Sequence, residues 1–147
     1  MATVEVAFTP LPAHVRTARL VATAVARRSG VSESLLDEVR LAVGEACSRA
    51  VEAHRQQCPS EPIRVALSET AGRFEIEVVH VGRVPGAGGD DDAPSSGSAD
   101  GVPLPAGLSL AVISGLADEV HISETAAGTS LRMSWPLTGS LPAAPGR

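Results

Sequence analysis

Lysine is absent from this 147-residue chain, and all 12 of its basic residues are arginine. Without lysine the chain cannot build a Walker phosphate-binding loop or form a Schiff base with a carbonyl compound. Aromatic residues are also scarce, at 2% of the sequence. We therefore expect a core made mainly of valine, leucine, isoleucine and alanine.

The sequence also lacks a strong basic cluster and a long apolar run. The net charge is −5, and Arg27-Arg28 is the one basic doublet, so direct binding to nucleic acid is not expected. No stretch approaches 18 uncharged apolar residues, and the first residues do not follow the pattern of a secretion signal. We expect a cytoplasmic protein that does not enter a membrane.

Only two cysteines are present, Cys47 and Cys58. They lie eleven residues apart at one end of a predicted helix, which places them roughly 16 Å apart, too far for a disulfide. We expect both to be reduced thiols, with no metal site.

The hydrophobic pattern indicates one α+β domain over residues 1–138. Hydrophobic residues make up 44% of the chain, enough for a core at this length. Alternation of apolar and polar residues predicts strands, and apolar spacings of three and four predict helices. The predicted strands cover about 2–9, 63–67, 74–78, 120–122 and 129–135, and the helices about 12–29, 32–57 and 107–117. We expect a two-layer sandwich in which three helices cover one face of a mixed, mostly antiparallel sheet.

Two segments do not follow these patterns. Residues 83–106 are rich in glycine, proline, serine and aspartate, which is typical of a mobile loop. This predicted lid contains three adjacent aspartates at 90–92. Residues 139–147 are predicted to form a disordered tail.

The most informative stretch is "LAVGEACSRAVEAH" at 41–54. Glu45 and Arg49 lie one helical turn apart on the same face. A carboxylate and an amide at this spacing could act as a base and a metal ligand, but arginine has donors only and cannot coordinate a cation. Three interpretations remain: Arg49 pairs with Glu45 and Glu52, its guanidinium replaces a metal ion and holds a phosphate, or magnesium-dependent chemistry persists.

The other polar residues give no clear catalytic pattern. His14, His54 and His121 are scattered and do not suggest a metal site. His54 is interpreted as a histidine at a helix end. Ser109 and Ser114 have no histidine or aspartate at a spacing typical of serine hydrolases.

Four segments together carry a family resemblance. They are "DEVRLAVGEACSRAVEAH", "FEIEVVHVG", "GLSLAVISGLADEVHI" and "GTSLRMSWPL". In this order they resemble the anti-sigma factor kinases related to RsbW and SpoIIAB, which belong to the GHKL superfamily of Bergerat-fold ATPases. The resemblance runs from about Val4 to Leu137 and implies the Bergerat fold.

The sequence departs from the family pattern at two positions, one for binding magnesium and one for binding adenine. The resemblance assigns Glu45 to the glutamate that activates a substrate serine, and Arg49 to the asparagine that binds magnesium. It assigns His80 to the aspartate that binds the adenine amino group, with Gly82 matching the glycine of that motif. Magnesium binding is therefore not expected, and any binding of ATP is expected to be weak.

The remaining family positions are kept. Gly107 and Leu108 match the glycine-led start of a helix in the nucleotide pocket, and Gly128 and Thr129 match a Gly-Thr pair near the adenine. These matches complete the residues that the resemblance places in the pocket.

The resemblance implies regulation by partner switching. Relatives bind a sigma factor until a STAS-domain anti-anti-sigma factor displaces it, and they act as homodimers. We expect an anti-sigma factor-like regulator, of an actinobacterial type by composition, whose kinase activity is lost. The alternatives are a divergent serine/threonine kinase that phosphorylates a STAS protein and a non-catalytic nucleotide-sensing module.

Overall fold

The computed structural model describes residues 3–81, 106–125 and 128–138. Its elements follow the predicted order, with five strands and three helices. They are β1 (Thr3–Phe8), α1 (Pro12–Ser29), α2 (Glu33–Gln57), β2 (Ile63–Thr70), β3 (Arg73–His80), α3 (Ala106–Leu116), β4 (Glu119–Thr125) and β5 (Gly128–Pro136). The predicted tail, and the predicted lid up to residue 105, lie outside the described residues.

The five strands form one sheet in the order β1-β2-β3-β5-β4, and every pairing between them is antiparallel. The register aligns apolar residues across the sheet, as in the row Val6, Val65, Val78 and Leu131. Successive strand residues point to opposite faces, so this row and its neighbours face the helices. The predicted α+β sandwich is confirmed, but across the described strands the sheet is wholly antiparallel and not mixed as expected.

The first two helices form a hairpin around Gly30. This residue adopts a left-handed conformation at φ 107°, and its N–H contacts the carbonyl oxygens of Ala26 and Arg27 at 3.2 and 3.3 Å. Glycine is favoured at this position because it has no Cβ. Ser32 occupies the predicted N-cap of α2, but its side chain makes no capping hydrogen bond. In the described ranges no helix is long and apolar enough to cross a membrane.

The core lies between the sheet and the buried stripes of α1 and α2. As predicted, most of its residues are aliphatic, but its two largest side chains are Trp135 and Phe74, both fully buried. The Trp135 indole N–H donates to the carbonyl oxygen of Leu116 at 3.1 Å. This bond fixes the end of α3 against β5 and satisfies a polar group that would otherwise be buried without a partner.

Both cysteines are free thiols, as expected. Burial raises the pKa of Cys47 to about 12, although the charge of Arg19 acts in the opposite direction. Because the thiolate is the reactive form, Cys47 is a packing residue and not a nucleophile.

Gly128 begins β5 where the strand passes close to the end of β3. Its φ is +145°, and a Cβ atom at this position would collide with the carbonyl oxygen of His80. Thr129 is the register partner of His80. The absence of a side chain at Gly128 therefore lets β5 pair with β3 up to the last residue of that strand.

Replacing Gly128 with alanine is expected to destabilise the fold by about 2 kcal/mol, because the side chain strains the backbone and meets the His80 carbonyl. The measurement is the free energy of unfolding in urea. Gly115→Ala is the matched control, since a Cβ at Gly115 meets no atom within 4 Å, and it should leave stability unchanged or slightly raised. Equal effects of the two substitutions would contradict the proposed close approach.

Candidate functional site

The predicted site residues come together where the middle of α2 faces the ends of two strands. Glu45 and Arg49 are on α2, while His80 is the last residue of β3 and lies opposite Thr129 at the start of β5. The charge of Arg49 lowers the pKa of His80, so the helix and strand residues act on one another.

Glu45 is already engaged within the chain. Its carboxylate accepts a hydrogen bond from the Ser109 hydroxyl at 2.8 Å. Ser109 lies in the first turn of α3 and is 1% exposed. The bond ties the start of α3 to α2, so a residue that the sequence left without a role is the direct partner of Glu45.

Arg49 makes none of the ion pairs predicted for it. In the part of the chain that the structure describes, no carboxylate oxygen lies within 4.0 Å of its guanidinium. Glu52, the second predicted partner, accepts a hydrogen bond from Gln56 Nε2 at 2.8 Å. The predicted pairing of Arg49 with Glu45 and Glu52 is therefore wrong.

The guanidinium of Arg49 is instead a partly desolvated cation. The residue is half-buried, and its Nε atom is buried with no hydrogen-bond partner among the described residues. Burial lowers the pKa of Arg49, while the negative charge of Glu45 raises it. A donor-only cation at position 49 does not fit the magnesium ion that the family resemblance implies there.

His54 fixes the end of β3 against α2. The Val81 N–H donates to His54 Nε2 at 2.8 Å, and His54 Nδ1 lies 2.8 Å from the carbonyl oxygen of Glu61. Because Nε2 must accept, Nδ1 carries the proton and donates to Glu61. His54 is fully buried, so its interpretation as a simple helix-end residue was incomplete. It lies four residues after the buried Ala50, a spacing that marks it as inward-facing.

His80 is a buried, neutral group. It is 5% exposed, and its ring lies 6.2 Å from that of His54 in an edge-to-face arrangement. Burial lowers the pKa of His80, and the charges of His54 and Arg49 lower it further, while the Val81 carbonyl and Glu124 act in the opposite direction. A neutral imidazole has one acceptor nitrogen, so it cannot reproduce an aspartate's two acceptor oxygens.

The remaining predicted pocket residues lie at the edges of this region. Gly107 is in the first turn of α3, and Leu108 beside it is 50% exposed. Gly128 and Thr129 begin β5 next to the end of β3. Gly82 lies outside the described residues.

The structure also contains a surface cavity away from this region. It has a volume of about 220 Å³, and its lining includes Arg73, Glu75, His121 and Arg132 on β3, β4 and β5. These residues alternate with the core-facing ones, so the cavity lies on the sheet face opposite the helices. None of the predicted site residues lines it.

Arg49→Met is expected to raise the free energy of unfolding by about 1 kcal/mol, since it removes a buried donor without an acceptor and keeps an unbranched side chain. Chemical denaturation measures this change. Arg40→Met is the control, because Arg40 is on the same helix but exposed and paired with Asp37 at 2.9 Å, and its effect should stay within about 0.5 kcal/mol. A clear loss of stability in Arg49→Met would mean that Arg49 has a structural partner.

Stability should fall as the pH drops below about 6.5, in part because of His80. The folded-state pKa of His80 is lowered, so below the unfolded pKa the unfolded chain binds a proton that the folded chain does not. His80→Gln should make the decrease in unfolding free energy between pH 7 and pH 5 smaller. His121→Gln, at an exposed position on β4, should leave it unchanged. Identical pH profiles for His80→Gln and the unmodified chain would contradict this account.

Comparison with known proteins agrees with this geometry. The model of the histidine kinase-like ATPase domain family matches residues 8–135. Among solved structures, the RsbU and RsbW domains of Rv1364c from Mycobacterium tuberculosis match with a TM-score of 0.68 and 19% identity, over 93% of this chain and 33% of that one. This chain thus spans about a third of the length of that structure, and the likeness shows a shared fold. No curated protein matches the sequence.

Since the family match extends from Phe8, the last residue of β1, to Trp135 near the end of β5, it covers all three helices and nearly all of strands β2 to β5. The chain belongs to the histidine kinase-like ATPase domain family.

Proposed function

We propose that this chain is an RsbW-like partner-switching regulator that binds its protein partners without transferring phosphate to them. Its partners would be a sigma factor and a STAS-domain anti-anti-sigma factor, with a homodimer as the working form. The family match and the RsbW-containing structural neighbour support the class of protein. The state of Arg49 supports the loss of phosphotransfer.

The proposed loss of phosphotransfer rests on the chemistry and the position of Arg49. Phosphoryl transfer in such a site depends on a metal ion that neutralises the phosphates and orients them. A guanidinium at position 49 supplies no ligand and repels a divalent cation. Its buried Nε has no partner in the described ranges. No ion pair within those ranges therefore holds the guanidinium away from the place where the metal ion would bind.

Glu45 is poorly suited to act as a general base. A base must reach the substrate hydroxyl within about 3 Å, yet one carboxylate oxygen of Glu45 already accepts the Ser109 hydroxyl.

Protein binding requires only a stable fold and an accessible surface. The resemblance assigns partner contacts to the first helix and to the region near Glu45. Leu20 on α1 is 64% exposed and Leu41 on α2 is 50% exposed, so both helices present apolar side chains to solvent. Such residues contribute to an interface when a partner covers them.

The test begins with affinity purification of the tagged chain from its host, followed by incubation of the recovered STAS partner with labelled ATP and magnesium. We expect a stable complex and no transfer of label to the partner. Sustained, stoichiometric phosphorylation of a partner serine by the unmodified chain would reject the proposal in favour of a divergent kinase.

A double substitution tests whether Arg49 and His80 limit the binding of magnesium-ATP. Arg49→Asn combined with His80→Asp should raise affinity for magnesium-ATP by about 10- to 100-fold, because it supplies a metal ligand and a charge-assisted acceptor. Arg40→Asn combined with His121→Asp introduces the same residues at exposed positions and should have no effect. Calorimetric titration measures both, and an unchanged affinity in the first pair would show that these two residues do not limit nucleotide binding.

A further inference from the structure

We propose that Arg49 is the centre of an oxyanion site that works without a divalent metal ion. Its ligand class is a phosphate group, either free or at the end of a nucleotide. This site goes beyond partner docking, and it does not depend on which proteins the chain binds.

The first observation is the unmatched donor set of Arg49. Nε is buried without an acceptor, and no carboxylate in the described ranges lies within 4.0 Å of the guanidinium. A guanidinium carries five N–H donors in a planar fork that matches two oxygens of a phosphate. Buried polar groups in native proteins are normally paired, so the unpaired Nε, which is part of this fork, indicates a ligand with acceptor oxygens.

The second observation is the position of α3. Ser109 in its first turn touches Glu45, and Glu45 is one helical turn from Arg49. The start of α3 therefore lies beside the stretch of α2 that carries the guanidinium. The first N–H groups of a helix have no partner within it, and its dipole favours an anion at this end. Two features that attract an anion thus occur in one region.

The titratable neighbours also favour an oxyanion over a metal ion. Burial lowers the pKa of His80 and so favours its neutral form, which adds no charge beside Arg49, and its Nδ1 lies 3.5 Å from the carbonyl oxygen of Val81. Glu45 is the one unfavourable group for an anion, and it lies beyond ion-pair distance from Arg49. Its negative charge should weaken phosphate binding, so Glu45→Gln should strengthen it.

The experiment is isothermal titration of the full chain with inorganic phosphate, ADP and ATP in a low-salt buffer containing EDTA, repeated with magnesium. Comparison of the three ligands separates free phosphate from nucleotide. We expect binding in EDTA that magnesium does not strengthen. Arg49→Ala should weaken it at least tenfold, whereas Arg40→Ala on the exposed face of the same helix should not change it.

Arg49→Lys provides a second variant, because it keeps the charge but loses the planar fork, and it should bind more weakly than the unmodified chain. Circular dichroism verifies that each variant is folded. Failure of all three ligands to bind up to about 10 mM, a requirement for magnesium, or full affinity in Arg49→Ala would each overturn the inference. None of these results would bear on partner capture, so failure of the anion site and failure of the proposed function are distinguishable.

Discussion

The double hydrogen bond of His54 is the constraint on which the geometry of the site depends. A single buried imidazole joins the end of α2 to the backbone of Glu61 before β2 and to the N–H of Val81 after β3. With β3 held in this way, His80 lies against α2 within the field of Arg49. Gly128 then allows β5 to pair with the last residue of β3. Hydrogen bonds to the backbone and strand pairing thus fix the positions of these site residues without a ligand.

In this arrangement, Arg49 determines whether the site can support metal-assisted phosphoryl transfer. The family resemblance implies a carboxylate and a metal-binding amide on one face of α2, whereas here the second group is a cation. The cation is partly desolvated, lacks an acceptor in the described ranges, and stands near a glutamate that is bonded to Ser109. Each of these facts disfavours metal-assisted phosphoryl transfer.

The fold could be predicted from the sequence because strands and helices follow their hydrophobic periods. The αL cap at Gly30 and the positive φ of Gly72 in the turn at 70–73 occur at glycines, which adopt this conformation without steric cost, whereas the positive φ of Ala71 in the same turn has no such local cause. The site could be predicted only in part. The bond between Ser109 and Glu45 joins residues 64 positions apart, and no local pattern specifies it. The spacing of Arg49 from Glu45 permits an ion pair, but the rotamer that the packed environment selects does not form one.

The most direct test of this account is a crystal structure of the chain soaked with ATP and Mn²⁺, with the anomalous signal of manganese recorded. If a guanidinium occupies the metal position, no manganese peak will appear within coordination distance of α2 near Glu45, and any ordered phosphate will contact Arg49. A manganese ion bound beside Glu45 and bridged to the phosphates would contradict the central claim.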